Sequence, residues 1–99
     1  MSDQTRADLR CFIAVMQTSK AMDTLNPGAS KVAIMYFYGR LDGEDPKLDL
    51  EAAILDELPK MSMQDIAAAD MRCGLEMKDR SNYMDVVGQH LIDRATGRR

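Results

Sequence analysis

Apolar residues recur at helical spacing through most of the chain. Leu9, Phe12, Ile13 and Met16 fall at i, i+3, i+4 and i+7, which predicts a first helix from Thr5 or Ala7 to about Ser19. Asp8 suits the positive end of that helix, and Cys11 falls at the margin of its apolar face. Asn26-Pro27-Gly28 is a turn signal. The most apolar run follows, residues 32–38, and carries most of the aromatic side chains. Its β-branched and aromatic content also fits a strand. No second strand-like run exists for it to pair with, so a helix from Pro27 or Ala29 to Arg40 is the consistent expectation.

The pattern then breaks. Asp42-Gly43 and Asp45-Pro46 favour turns, so residues 41–47 are expected as a loop. Asp49 is placed to cap a short helix over residues 50–58, and Pro59 ends it. Ser62 and Asp65 form a capping-box variant, with Met61 and Ile66 spaced as a hydrophobic staple. A helix from Met63 to about Met77 follows, through Ile66, Ala69, Cys73 and Met77. Asp79-Arg80-Ser81-Asn82 reads as a break, with Ser81 capping a last helix to about Arg94. Tyr83, Val86, Val87 and Leu91 make that helix's apolar stripe. The expected fold is all-α: a small single domain of four or five helices over residues 7–94, with flexible termini at 1–6 and 95–99.

Composition narrows the function classes. Ninety-nine residues make one domain with a modest core. A net charge of −3 disfavours nonspecific nucleic-acid binding, and the apolar run 32–38 is too short to insert in a membrane. Twelve of the 16 acidic residues are Asp. At about pH 2 nearly all are neutral, leaving roughly +15 on the chain, a self-repelling charge that loosens a compact state.

Enzymatic chemistry finds no motif. His90 is the lone histidine and reads as a helix-surface residue. One His with two distant Cys makes no zinc site, and nothing marks a Cys-His catalytic pair. Asp42, Glu44 and Asp45 cluster without the calcium-loop pattern, and no phosphate-binding glycine motif exists. No catalytic residue, metal or cofactor is assigned, and the chain is read as a non-enzyme. Nine methionines suit core filling, or a surface that repacks around varied apolar partners. Cys11 and Cys73, 62 residues apart, are either two buried thiols or one disulfide.

Taken in order, these residues resemble a family. Arg10-Cys11-Phe12-Ile13 lies in the first helix, the apolar aromatic helix 32–38 follows, a short helix ends at Leu58-Pro59, and Cys73 lies in a later helix. Tyr83 stands near the start of the last. The arrangement is similar to the periplasmic acid-stress chaperones of the HdeA/HdeB type, over roughly residues 9–91. The resemblance implies a Cys11–Cys73 disulfide, a periplasmic home with the signal peptide already removed, and a folded, inactive homodimer at neutral pH. In acid, it implies, carboxylates protonate, the dimer parts, and unfolded periplasmic proteins are held without ATP. The client or partner surface is then expected at Val32, Met35, Tyr36, Phe37 and Tyr38. The competing expectation is a periplasmic binding module, of inhibitor type, that engages one specific protein at neutral pH through the 39–46 loop, with Arg40 and Asp42 presenting charge.

Overall fold

A computed structural model describes residues 1–97. It has four α-helices and a short 3₁₀ turn: α1 (Asp3–Leu25), α2 (Ala29–Glu44), α3 (Leu50–Glu57), the 3₁₀ turn (Leu58–Lys60) and α4 (Met63–Ala95). There is no strand among the described residues, so the small all-α domain is as expected. No helix among them is long and apolar enough to cross a membrane.

α1 is the hub. Five consecutive residues, Cys11 to Val15, are buried, because α2, α3 and α4 each pack against a different side of it. Its start is fixed by the Ser2 hydroxyl, which accepts from the Thr5 amide at 3.0 Å. It therefore begins at Asp3, within the segment expected to fray. It also runs six residues past Ser19. The Thr18 and Ser19 hydroxyls lie 3.0 Å from the carbonyls of Ala14 and Met16, so these polar residues are absorbed by their own helix rather than ending it.

α2 corrects the expected loop. It continues through Asp42 and Gly43 to Glu44, ending only before Asp45-Pro46. Leu41 is the cause: its side chain is buried against the core, and that burial carries the helix one more turn. Gly28, at φ 86°, makes the left-handed turn out of α1. α3 has the expected cap, Asp49 accepting from the Ala52 amide at 3.1 Å.

α4 begins with the expected capping box: the Ser62 amide donates to Asp65 at 2.9 Å and the Asp65 amide to the Ser62 hydroxyl at 3.0 Å. The expected break at residues 79–82 is absent. That tetrad holds neither Gly nor Pro, so nothing in its backbone stops a helix, and Ser81 is an interior position rather than a cap. The result is one 33-residue helix, the longest in a chain whose greatest extent is 54 Å. Of the tail expected at 95–99, Ala95 is the last helical residue and Thr96 its cap. Arg98 and Arg99 lie outside the described residues.

The core is Leu9, Phe12, Ile13 and Val15 of α1, Ala33, Phe37 and Leu41 of α2, Met61, and Ala69 and Cys73 of α4. Cys11 and Cys73 form the one disulfide among the described residues, with Cα atoms 5.7 Å apart. Cys11 is fully buried, well inside the apolar face rather than at its margin.

Candidate functional site

Carboxylates sit where the helices meet. Asp8 of α1 is buried at the α1–α2 junction, and its Oδ2 accepts from Arg40 Nε of α2 and from Gln4 Nε2, each at 3.1 Å. Arg40 also reaches α4, donating through Nη1 to Glu76 Oε2 at 3.3 Å. Tyr36 donates its hydroxyl proton to that same oxygen at 3.1 Å and accepts from Arg40 Nη1 at 3.4 Å. One guanidinium thus ties three helices together. Its acceptors, the Tyr36 hydroxyl and then the Asp8 carboxylate, raise its pKa further above the ordinary arginine range.

The other junctions repeat the device. Glu57, buried at the end of α3, accepts from Arg10 Nε of α1 at 2.8 Å, with Arg6 Nε 3.9 Å away. Asp23 near the end of α1 accepts from the Ser30 hydroxyl at 2.6 Å and the Ser30 amide at 3.0 Å, which holds α2 against it. Those two bonds, the hydroxyl first, lower the Asp23 pKa. Asp70 of α4 lies 3.1 Å from the Thr18 hydroxyl of α1. Glu44 is shifted the other way. Partial desolvation of its carboxyl, and the Asp8 carboxylate beside it, push its pKa up.

The residues expected to form a client surface divide. Val32 and Met35 are 65% and 64% exposed, Tyr38 is exposed beside them, and Asp42 is exposed on the same flank of α2. Phe37 is 0% exposed and belongs to the core: it points opposite Val32 and Met35, toward α1. Tyr36 is half-buried, its ring edge-on to Phe37 at 4.9 Å and its hydroxyl in the ion network. Arg40 does not present charge outward, because its guanidinium is engaged by Asp8 and Glu76.

A larger apolar surface lies on α4. Met71, Leu75, Tyr83, Met84, Val86, Leu91 and Ile92 are all exposed. The last five lie on a stretch whose side-chain hydrogen bonds stay within its own helix. The stripe of Tyr83, Val86, Val87 and Leu91 was legible in sequence, but it does not pack on the body. At its root, an open cleft of about 320 Å³ separates the helices, lined by Val15, Met22, Val32, Ala33, Cys73 and Met77 among others.

The ion network was not legible as a site. Asp8 and Glu57 stand in unremarkable helical sequence, and only the crossing of helices brings Arg40 and Arg10 to them. The disulfide consumes both thiols, which removes Cys11 and Cys73 as nucleophiles, and His90 stands exposed on α4. Among the described residues, no group of acids, Cys and His is placed to hold a metal ion. The exposed apolar residues of α2 and α4 lie on a body whose helix junctions are held by carboxylate hydrogen bonds and ion pairs. No protein family, no curated protein and no solved structure matches this chain.

Proposed function

We propose that this protein is an acid-activated, ATP-independent holdase of the HdeA/HdeB type, working in the periplasm. In this reading it is a closed homodimer at neutral pH and binds unfolded clients when acid loosens it. The observation that carries the reading is the siting of Asp8, Glu57, Asp23, Glu76 and Asp70 at contacts between helices. An ionised carboxylate is an acceptor only and carries the charge that pairs with a cation; protonated, it loses that charge and part of its acceptor capacity and becomes a donor. Strong acid, which neutralises carboxylates as a class, therefore weakens contacts of this kind, while Arg10 and Arg40 keep their charge.

The consequences follow physically. Loosened junctions let α2 part from the disulfide-joined α1 and α4, which bares Phe37, Leu41 and Ala33 beside the surface already open at Val32, Met35 and Tyr38. Roughly +15 of charge keeps a loaded chain soluble. The Cys11–Cys73 bond keeps α4 tethered to α1 throughout, so the chain recloses from a restricted ensemble.

The competing reading is a binding module that works at neutral pH. The open apolar residues of α2 and α4 favour it more than the 39–46 segment does, since that segment is largely helical. One experiment separates the two: suppression of aggregation of a model client at about pH 2 to 3 and at pH 7. Protection confined to acid and lost on reduction supports the holdase. Protection at neither pH rejects it and leaves the binding module.

A further inference from the structure

α1, α2 and α4 surround the cleft of about 320 Å³ without filling it. Three links fix its walls pairwise. The Cys11–Cys73 disulfide joins α1 to α4, Asp23 and Ser30 join α1 to α2, and Tyr36 and Arg40 of α2 meet Glu76 of α4. The opening is therefore set by bonds between its walls, so an occupant meets a space already formed. Its volume stands at the lower end of the range for small-molecule sites.

The walls are largely apolar, with Val15 and Met22 from α1, Ala33 from α2 and Met77 from α4. Asp70 is the one charged residue in the lining, and its setting differs from that of the other carboxylates at helix contacts. Asp8, Glu57 and Glu76 each lie against an arginine, and Asp23 accepts two hydrogen bonds from Ser30. Asp70 is half-buried and has no ion pair among the described residues. Its side-chain neighbour is the Thr18 hydroxyl at 3.1 Å, which lies as close, 3.0 Å, to the Ala14 carbonyl. That hydroxyl has one proton for two acceptors, so the carboxylate keeps unused acceptor capacity on the wall of an apolar space.

Gly74 adds an independent sign. It follows Asp70 by one turn on the same wall, in the interior of α4, where glycine weakens a helix. Nothing lies within 4 Å of where its Cβ would point. Packing inside the chain therefore gives no reason for a residue without a side chain, and its absence keeps the cleft open beside the carboxylate.

We infer that the cleft binds small apolar amines in their protonated form. The ammonium donates to Asp70, and a short alkyl chain or a ring lies along Val15, Met22 and Met77. A chain of the same length ending in a carboxylate meets the Asp70 charge and is repelled. A helix about 10 Å across is too wide to enter a space of this volume, which favours a small molecule over a protein segment. The site goes beyond the chaperone reading and belongs to the closed chain at neutral pH.

The test is a nuclear magnetic resonance titration of the full chain at pH 7 with octylamine, octanoate and butylamine. Octylamine is protonated there, as lysine is with its reference pKa of about 10.4. The expected result is saturable binding of octylamine with Kd below about 1 mM, its amide shifts confined to the walls of the cleft. Octanoate lacks the charge match and butylamine the apolar length, and each binds at least about tenfold more weakly. Asp70→Asn lowers octylamine affinity on the order of tenfold and removes its advantage over octanoate. Gly74→Leu places a good helix former in open space, retains the helical circular dichroism and blocks the site. No saturable binding of octylamine up to about 5 mM overturns the inference. So does octanoate binding as well as octylamine, or octylamine binding unchanged in Gly74→Leu. Shifts centred on α4 beyond Met77 overturn it too, since they mark loose association with the exposed apolar residues there. Client protection in acid without amine binding at pH 7 rejects this site and leaves the chaperone reading standing, and amine binding without protection does the reverse.

Discussion

The Arg40 guanidinium lies 3.1 Å from the Asp8 carboxylate, and the two are unequally sheltered: the Asp8 side chain is 2% exposed and that of Arg40 28%. The acid is locked in the α1–α2 junction, while the base keeps a path to water and a second partner in Glu76. Removing the charge of Asp8 therefore hurts less than orphaning a fully buried arginine would. Asp8→Asn is expected to destabilise the fold by about 2 to 3 kcal/mol at pH 7, at or just below the range for broken buried pairs. Urea denaturation at pH 7 checks this, with Asp8→Ala beside it. A loss for Asp8→Asn within about 0.5 kcal/mol of zero would mean that the ion pair contributes little to the fold.

Glu44 should respond with the opposite sign. Its folded-state pKa is raised by desolvation and by Asp8, so the folded chain binds that proton more tightly than the unfolded one. The ionised carboxyl destabilises the fold at neutral pH, and the penalty is relieved as pH falls through the raised pKa. Glu44→Gln is expected to raise the denaturation midpoint at pH 7. The gain should disappear below about pH 4, where the wild-type carboxyl is protonated in both states. Wild-type Glu44 thus opposes acid loosening.

Asp23 works the other way again. Its folded-state pKa is lowered by the Ser30 hydroxyl and amide, so its contribution is complete above the ordinary aspartate value of about 3.9 and is lost as pH falls through the folded value. Ser30→Ala removes the first of these bonds. The variant should be less stable than wild type at pH 7 and converge with it near pH 2. Nuclear magnetic resonance titration of the Asp23 carboxyl should show its pKa returning toward the ordinary value.

Helix content was legible because helices here follow local rules: the Ser62–Asp65 box and the Asp49 cap appear as expected. The misjudged boundaries share one cause. Turn-forming residues at 42–43 and polar residues at 18–19 and 79–82 carry weak local preferences, which the burial of Leu41 or an otherwise continuous helix overrides. The candidate site was half legible. Val32, Met35 and Tyr38 stand out as apolar, but the run 32–38 has apolar residues on every side of the helix. Its pattern therefore could not mark Phe37 as the inward one. Asp8, Arg40 and Glu76 meet only through a helix crossing, and sequence spacing carries no record of that.

The disulfide closes a 62-residue separation, for which chain entropy gives about 4 kcal/mol of stabilisation. For a domain of this size that is a large share of the total. The Cys11→Ser/Cys73→Ser variant is expected to lower the thermal midpoint steeply at pH 7 and to fail to regain its fold after acid exposure. Recovery of the circular dichroism signal on neutralisation, with and without a reductant, measures this. Equal recovery in both would remove the tether from the mechanism.

Phe37 and Met35, two residues apart on α2, separate folding from surface. Phe37 is fully buried against α1, so Phe37→Ala leaves a cavity and should cost about 3 to 5 kcal/mol. Met35 is largely exposed, so Met35→Ser should change stability by no more than about 0.5 kcal/mol. If the exposed flank of α2 captures clients, Val32→Ser/Met35→Ser weakens protection in acid while leaving neutral-pH stability nearly untouched. Phe37→Ala should instead shift the onset of protection to higher pH, because a weakened core opens with fewer protons. Protection curves against pH for the two variants make the comparison. A Val32→Ser/Met35→Ser chain that protects as well as wild type would move client capture off this flank, leaving the apolar half of α4 and the newly bared core to carry it.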